Sequence, residues 1–238
     1  MSVYDNYQSP FSWRYGSEEM RSIWSETNKR KLWRRIWVAL AQVQSEFGLV
    51  TGQQVSELKA NANEIDIETA LKIEAEIHHD LMAELKTFAA QCPSAGGVIH
   101  LGATSMDVED NADVLRMRSA LDHVLNELGT LLLALADRMD ETAELPIMAY
   151  THLQPAEPST LGYRLAVIAQ DLFEDWSALQ ELRANLRGKG FKGAVGTAAA
   201  YFDLLGSDHF AQFENHLSAE LDLPWPGWVL PCINLPLI

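Results

Sequence analysis

Apolar residues recur every three or four positions along three stretches of this chain. The first runs through Ile73, Ile77, Leu81, Leu85 and Phe88. The second runs through Val114, Met117, Leu121, Leu125, Leu128, Leu132, Leu135 and Met139. The third runs through Leu161, Leu165, Ile168, Leu172, Trp176, Leu179, Leu182 and Leu186. That spacing gathers the apolar side chains on one face of an α-helix. At about 1.5 Å per residue the last two stripes predict helices roughly 40 Å long. Helices of that length pack side by side in a bundle rather than wrapping a small globule.

Chain breakers fall between the stripes. "CPSAGGVIHLGATS" separates the first from the second, "ELPIMAYTHLQPAEP" the second from the third, and "RGKGFKGAVGTAAA" follows the third. Before residue 60 the pattern is of shorter helices, with "KLWRRIWVALAQVQSEFGL" the clearest. No stretch shows repeated strand alternation, although "VIHLG" and "PIMAYT" could be short extended pieces. The expected class is therefore all-α. A small N-terminal helical domain over 1–108 precedes the start of a long-helix bundle over 109–223, and a Pro- and Trp-rich tail occupies 224–238.

The 238 residues are enough for a real core, and 47% hydrophobic against 21% charged residues is an ordinary globular balance. Eighteen Lys and Arg against thirty-three Asp and Glu give a formal charge of -15. This argues against binding nucleic acid or an anionic membrane surface, both of which need excess positive charge. A small anionic substrate remains open, because local cations or helix N-termini can override the global field. Two cysteines make neither a disulfide framework nor a metal quartet, and no metal-binding motif appears, so neither metal nor cofactor is expected. With no run of eighteen apolar residues and no signal-peptide pattern, the expected setting is the cytoplasm.

The candidate chemistry lies in and around the interruptions. His78, His79 and Asp80 fall inside the first stripe, on or near a helix. An aspartate beside a histidine can set its tautomer, but adjacent helical residues point about 100° apart, which favours surface or packing roles. In "HLGATSMDVEDN", Thr104 and Ser105 offer hydroxyls at the start of the second long helix. They suit either an anion or simple capping, and Asp107 and Asp110 would repel an anion unless offset. In "THLQPAEPST", Pro155 and Pro158 disfavour helix at the residues before them and predict an extended turn that holds Thr151 and His152. Such a turn suits a general acid or base, but it also suits a plain helix start. Arg14 beside Tyr15 could recognise a phosphate or carboxylate. Arg187, Lys189 and Lys192 among glycines could hold an anion, although Walker A spacing is lacking.

Taken together and in this order, "SPFSWRYGS", "HHDLMAEL", "IHLGATSMDVEDNAD", "ELPIMAYTHLQPAEPSTLGYR" and "RGKGFKGAVGT" resemble the adenylosuccinate lyases of the fumarase/aspartase superfamily. The resemblance covers roughly residues 8 to 223. It implies an all-helical homotetramer with a shared helix bundle and active sites built from several subunits. The implied reaction is β-elimination of fumarate from the purine nucleotide adenylosuccinate, giving AMP, and from the related succinylaminoimidazole carboxamide ribotide. By resemblance, His152 is the general acid and His79 the second active-site histidine. Arg14 and Tyr15 contact the substrate phosphate, Thr104 and Ser105 hold the succinyl carboxylate, and Asp80 and Thr151 complete the site.

The chain departs from the family at three places. His78 stands where relatives often have Arg, and Ala198 where some have Gln. The family's serine base, on an "SSxMPxKxNP"-like loop, has no counterpart. Around residue 224 the sequence becomes "PWPGWVLPCINLPLI", the composition expected of a truncated or frame-shifted reading of a longer gene. On this basis a fragment that binds and oligomerises with little or no turnover is an alternative expectation. A superfamily lyase acting on a different succinyl adduct is another.

Overall fold

The computed structural model describes residues 9–225. Most of the tail, with Cys232, lies outside the described residues. A short helical turn at Phe11–Tyr15 leads into α1 (Glu18–Ile23), α2 (Glu26–Glu46), α3 (Gly52–Asn61), α4 (Ile67–Ile77) and α5 (Asp80–Gln91). Next come α6 (Ser105–Glu141), the strands β1 (Pro146–Thr151) and β2 (Gln154–Thr160), and α7 (Leu161–Asn185). The last elements are α8 (Ala199–Leu205) and α9 (Ser207–Leu221). The fold is mostly helical, as the periodicity predicts. Two compact units divide it: residues 1–117 with 187–238, and residues 118–186.

The first unit is built around α2. Ser25 caps this helix by accepting a hydrogen bond from Asn28 N, and Trp33, Ile36, Trp37, Leu40 and Val43 recur on its buried face. The chain then turns at Gly48 (φ 74°), and the Thr51–Gln54 capping box starts α3. Leu81 and Phe88 of α5 join the same core, as do Phe213, Leu217 and Leu221 of α9 and Val108 and Ala112 of α6. Within it lies a buried ionic knot. Glu84 on α5 accepts from Arg30 Nη1 at 2.9 Å and from Arg34 Nε at 2.6 Å. Arg34 also donates to the carbonyls of Asn61 and Glu64 and to Gln91 Oε1. Removing one partner of such a knot leaves a buried charge uncompensated and costs about 3–5 kcal/mol.

In the second unit the α6 segment and α7 run antiparallel. The ties are Arg183 to Asp122 through two nitrogens (2.7 and 2.9 Å), Trp176 Nε1 to the Leu125 carbonyl (3.2 Å), and Gly162 N to the Thr142 carbonyl (2.9 Å). The two predicted stripes face each other only in part. Leu121, Leu125, Leu128 and Leu132 are half-buried, while Ile168 and Leu182 of the third stripe are exposed.

Two local expectations are corrected. "VIHLG" is not extended; it continues a helical turn at Gly96–Val98. The first stripe is two helices rather than one. α4 ends where His78 turns left-handed (φ 56°), and His79 opens α5 as its cap. "PIMAYT" forms β1, which pairs antiparallel with β2 from Pro146↔Thr160 to Thr151↔Gln154, with an irregularity between Met148 and Tyr150.

Candidate active site

In the first unit, the α4–α5 junction meets the start of α6. His79 accepts Met82 N–H at its Nδ1 (3.4 Å), and its Nε2 lies 3.3 Å from Ser105 Oγ. Asp80 Oδ1 caps Leu81 N at 2.8 Å and stands 3.8 Å from His79 Nδ1, beyond hydrogen-bond reach. Its other oxygen is 3.9 Å from Lys29 Nζ. Thus His79, Asp80 and Ser105 converge, with Thr104 one residue before the helix.

At the start of α6, Asp107 supplies one arm of a capping box. This fully buried carboxylate accepts Thr104 N at Oδ2 (3.1 Å), the reciprocal arm of a capping box. It also accepts Lys192 N and Gly193 N (both 3.1 Å), while Lys189 Nζ stands 3.7 Å away. One turn later Asn111 Oδ1 accepts Lys189 N (2.8 Å) and Gly190 N (3.3 Å), and its amide donates to the Gly190 carbonyl (3.1 Å). A Cβ on Gly188 would lie 2.6 Å from Asn111 Oδ1, so only glycine permits this approach. The glycine-rich loop is therefore clamped onto the helix that begins at Ser105. Burial pushes the Asp107 carboxyl up, and the three backbone donors with Lys189 work against that push.

The same clamp engages two of the loop's three cations. Lys189 pairs with Asp107 and Asp110 (3.3 Å to Asp110), and Lys192 pairs with both oxygens of Glu214 at 2.5 Å. Both cations are buried and serve internal pairs.

Arg14 and Tyr15 lie in the N-terminal helical turn. Arg14 sits over the Trp13 ring at 4.6 Å, and Tyr15 lines a cavity of about 640 Å³ with Phe11, Met20, Arg21 and Trp24. No contact links this turn to His79 or Ser105 among the interactions described.

Thr151 and His152 belong to the second unit, on the β1–β2 hairpin. The turn is tighter than an extended one. His152 (φ 52°) and Leu153 (φ 64°) are both left-handed, as in a two-residue type I′ turn. Prolines 155 and 158 lie in β2, after the bend. His152 stands exposed at the tip.

Two residues escaped the sequence reading. His100, four positions before Thr104, accepts the Trp37 indole N–H at Nδ1 (2.9 Å); burial, then the nearby His79, hold its pKa below the usual histidine range. Glu109, one turn into α6, has its carboxyl pushed up to about 7, first by burial and then by Asp80. His100 opens "HLGATSMDVEDN", and its imidazole is the available signal. Glu109 gave none, since its environment comes from α5 and α2.

A lyase family model matches residues 12–221. The adenylosuccinate lyase of Schistosoma mansoni is 40% identical over 211 residues, covering 88% of this chain and 44% of that protein. The Saccharomyces cerevisiae adenylosuccinate lyase is 38% identical over 213 residues with the same two coverages. The chain thus spans less than half the length of these curated relatives. Among solved structures, the 3-carboxy-cis,cis-muconate lactonizing enzyme of Pseudomonas putida superposes with a TM-score of 0.82 at 30% identity, over 91% of this chain and 50% of that one. The fumarate lyase of Mesorhizobium superposes with a TM-score of 0.80 at 26% identity, over 93% and 51%.

Proposed function

This chain belongs to the lyase family, and from that premise we propose that it carries part of an adenylosuccinate lyase site. The reaction is β-elimination of fumarate from adenylosuccinate, and from the related succinylaminoimidazole carboxamide ribotide. The observation that carries the reading is the meeting of His79 with Ser105 at 3.3 Å, at the start of α6. In this reading the hydroxyls of Thr104 and Ser105 hold a substrate carboxylate. Negative charge grows next to that carboxylate as the C–N bond breaks, and fixed donors aimed at it lower the barrier. In this reading His152 protonates the departing nitrogen, with Thr151 beside it. Arg14 and Tyr15 take the nucleotide phosphate, and Asp80 supports His79. No helix among the described residues is long and apolar enough to cross a membrane.

A second reading, a helical protein that self-associates without turnover, is favoured by the exposed apolar residues of α6 and α7. Fumarate release from adenylosuccinate, followed spectrophotometrically with the purified protein, separates the two. Release that drops at least about 100-fold in Ser105→Ala and His152→Ala supports the lyase. Saturable binding of AMP and fumarate without release favours the second reading. Neither binding nor release overturns the substrate assignment.

A further inference from the structure

Two imidazoles of the first unit already have their Nδ1 atoms engaged. Trp37, fully buried on α2, points its indole N–H at His100 Nδ1 from 2.9 Å, and the rings meet edge to face with centroids 6.1 Å apart. An indole N–H only donates, so His100 Nδ1 must present a lone pair, and the proton of the neutral ring sits on Nε2. The backbone imposes the same arrangement on His79. Met82 N–H donates to its Nδ1, which leaves Nε2–H facing Ser105 Oγ. Ser105 then accepts from His79, and its own O–H remains free to donate outward.

We propose that Trp37 is a positioning residue of this site: its indole fixes His100 as the Nε2–H tautomer. With the Met82 amide acting on His79, the two rings share one tautomer, Nδ1 accepting and Nε2–H donating. Trp37 is itself held in place, stacked on Phe88 with centroids 6.3 Å apart. Burial, the first cause of its lowered pKa, keeps the His100 ring neutral near pH 7. An Nε2–H set in advance on His100, and a Ser105 hydroxyl aligned by His79, can meet an anionic substrate oxygen with no reorganisation at the moment of reaction. Only this last use rests on the lyase reading; the tautomers do not.

The test is long-range ¹H–¹⁵N correlation spectroscopy of the ¹⁵N-labelled protein near pH 7. The expected wild-type spectrum shows Nε2 protonated and Nδ1 bare in both His79 and His100. Trp37→Phe keeps an aromatic ring but removes the donor. It should draw the two His100 nitrogen shifts together as the tautomers mix, with His79 unmoved. A wild-type His100 carrying its proton on Nδ1 overturns the proposal, as does a folded Trp37→Phe chain with an unchanged His100 signature. The wild-type spectrum decides the tautomer even if Trp37→Phe does not fold. Neither measurement uses substrate, so failure here leaves the lyase assignment standing, and absence of fumarate release leaves this inference standing.

Discussion

Glu109 shows how a single side chain can couple this site to pH. Its carboxyl rises from an ordinary 4.5 to about 7 because burial, then the charge of Asp80, disfavours its ionised form; Lys29 opposes them, and Asp110 and Asp113 add to them. The folded state therefore binds this proton more tightly than the unfolded chain does. The associated stability is fully present below about pH 4.5 and is lost as pH rises through about 7. Glu109→Gln should flatten that part of the profile and raise stability above the window by about 1 kcal/mol, a modest figure because the group is only half-buried. Urea unfolding at a series of pH values reads the effect, and an unchanged slope in the variant would count against it. Sequence alone could name His79, Asp80 and Ser105, because chain-local motifs carry them. It could not show that Asp107 answers its own repulsion of an anion by accepting three backbone N–H groups, since two of those come from residues 192 and 193.

Helices and hairpin depend on a few close approaches. Gly162, in the first turn of α7, packs against the end of α6. A Cβ there would lie 2.7 Å from both Ala143 Cα and the Met139 carbonyl oxygen. These are backbone atoms that cannot rotate away, so Gly162→Ala should destabilise the second unit by about 1–3 kcal/mol. Thermal melting would show a lower midpoint, and an unchanged one would mean that the helix ends can shift apart. The lengths of α6 and α7 were legible because their stripes are uninterrupted. The division of the first stripe into α4 and α5 was not. The apolar spacing continues smoothly through His78 and His79, and the break is made by one left-handed residue and one imidazole cap, which periodicity does not register. Likewise the prolines of "THLQPAEPST" correctly signalled non-helical chain, but the reversal occurs at His152–Leu153, ahead of both.

At the scale of the molecule, the second unit leaves much apolar surface uncovered. Leu133 is 72% exposed, Phe173 56% and Leu182 51%, and Leu133 and Phe173 line an open apolar hollow of about 600 Å³ together with Trp176. Apolar patches of that kind are normally covered by another chain. Sedimentation at micromolar concentration should therefore show self-association, weakened at least about tenfold by Leu133→Asp; a clean wild-type monomer would contradict this. The first unit has a different dependence, set by its order along the chain. It opens at the N-terminal side, is interrupted by residues 118–186, and is completed only by residues after 187. Asp107, Asn111 and the core faces of α2 leave the ribosome well before their partners Lys189, Gly190, Lys192, Tyr201 and Phe213 exist. At about 5–20 residues per second, the gap between Asp107 and Lys192 lasts roughly 4–17 s. For those seconds a nascent chain holds an unpaired buried-type carboxylate and an open aromatic core. How long the core of the first unit stays unfinished during synthesis is thus set by its topology, ahead of any encounter with substrate.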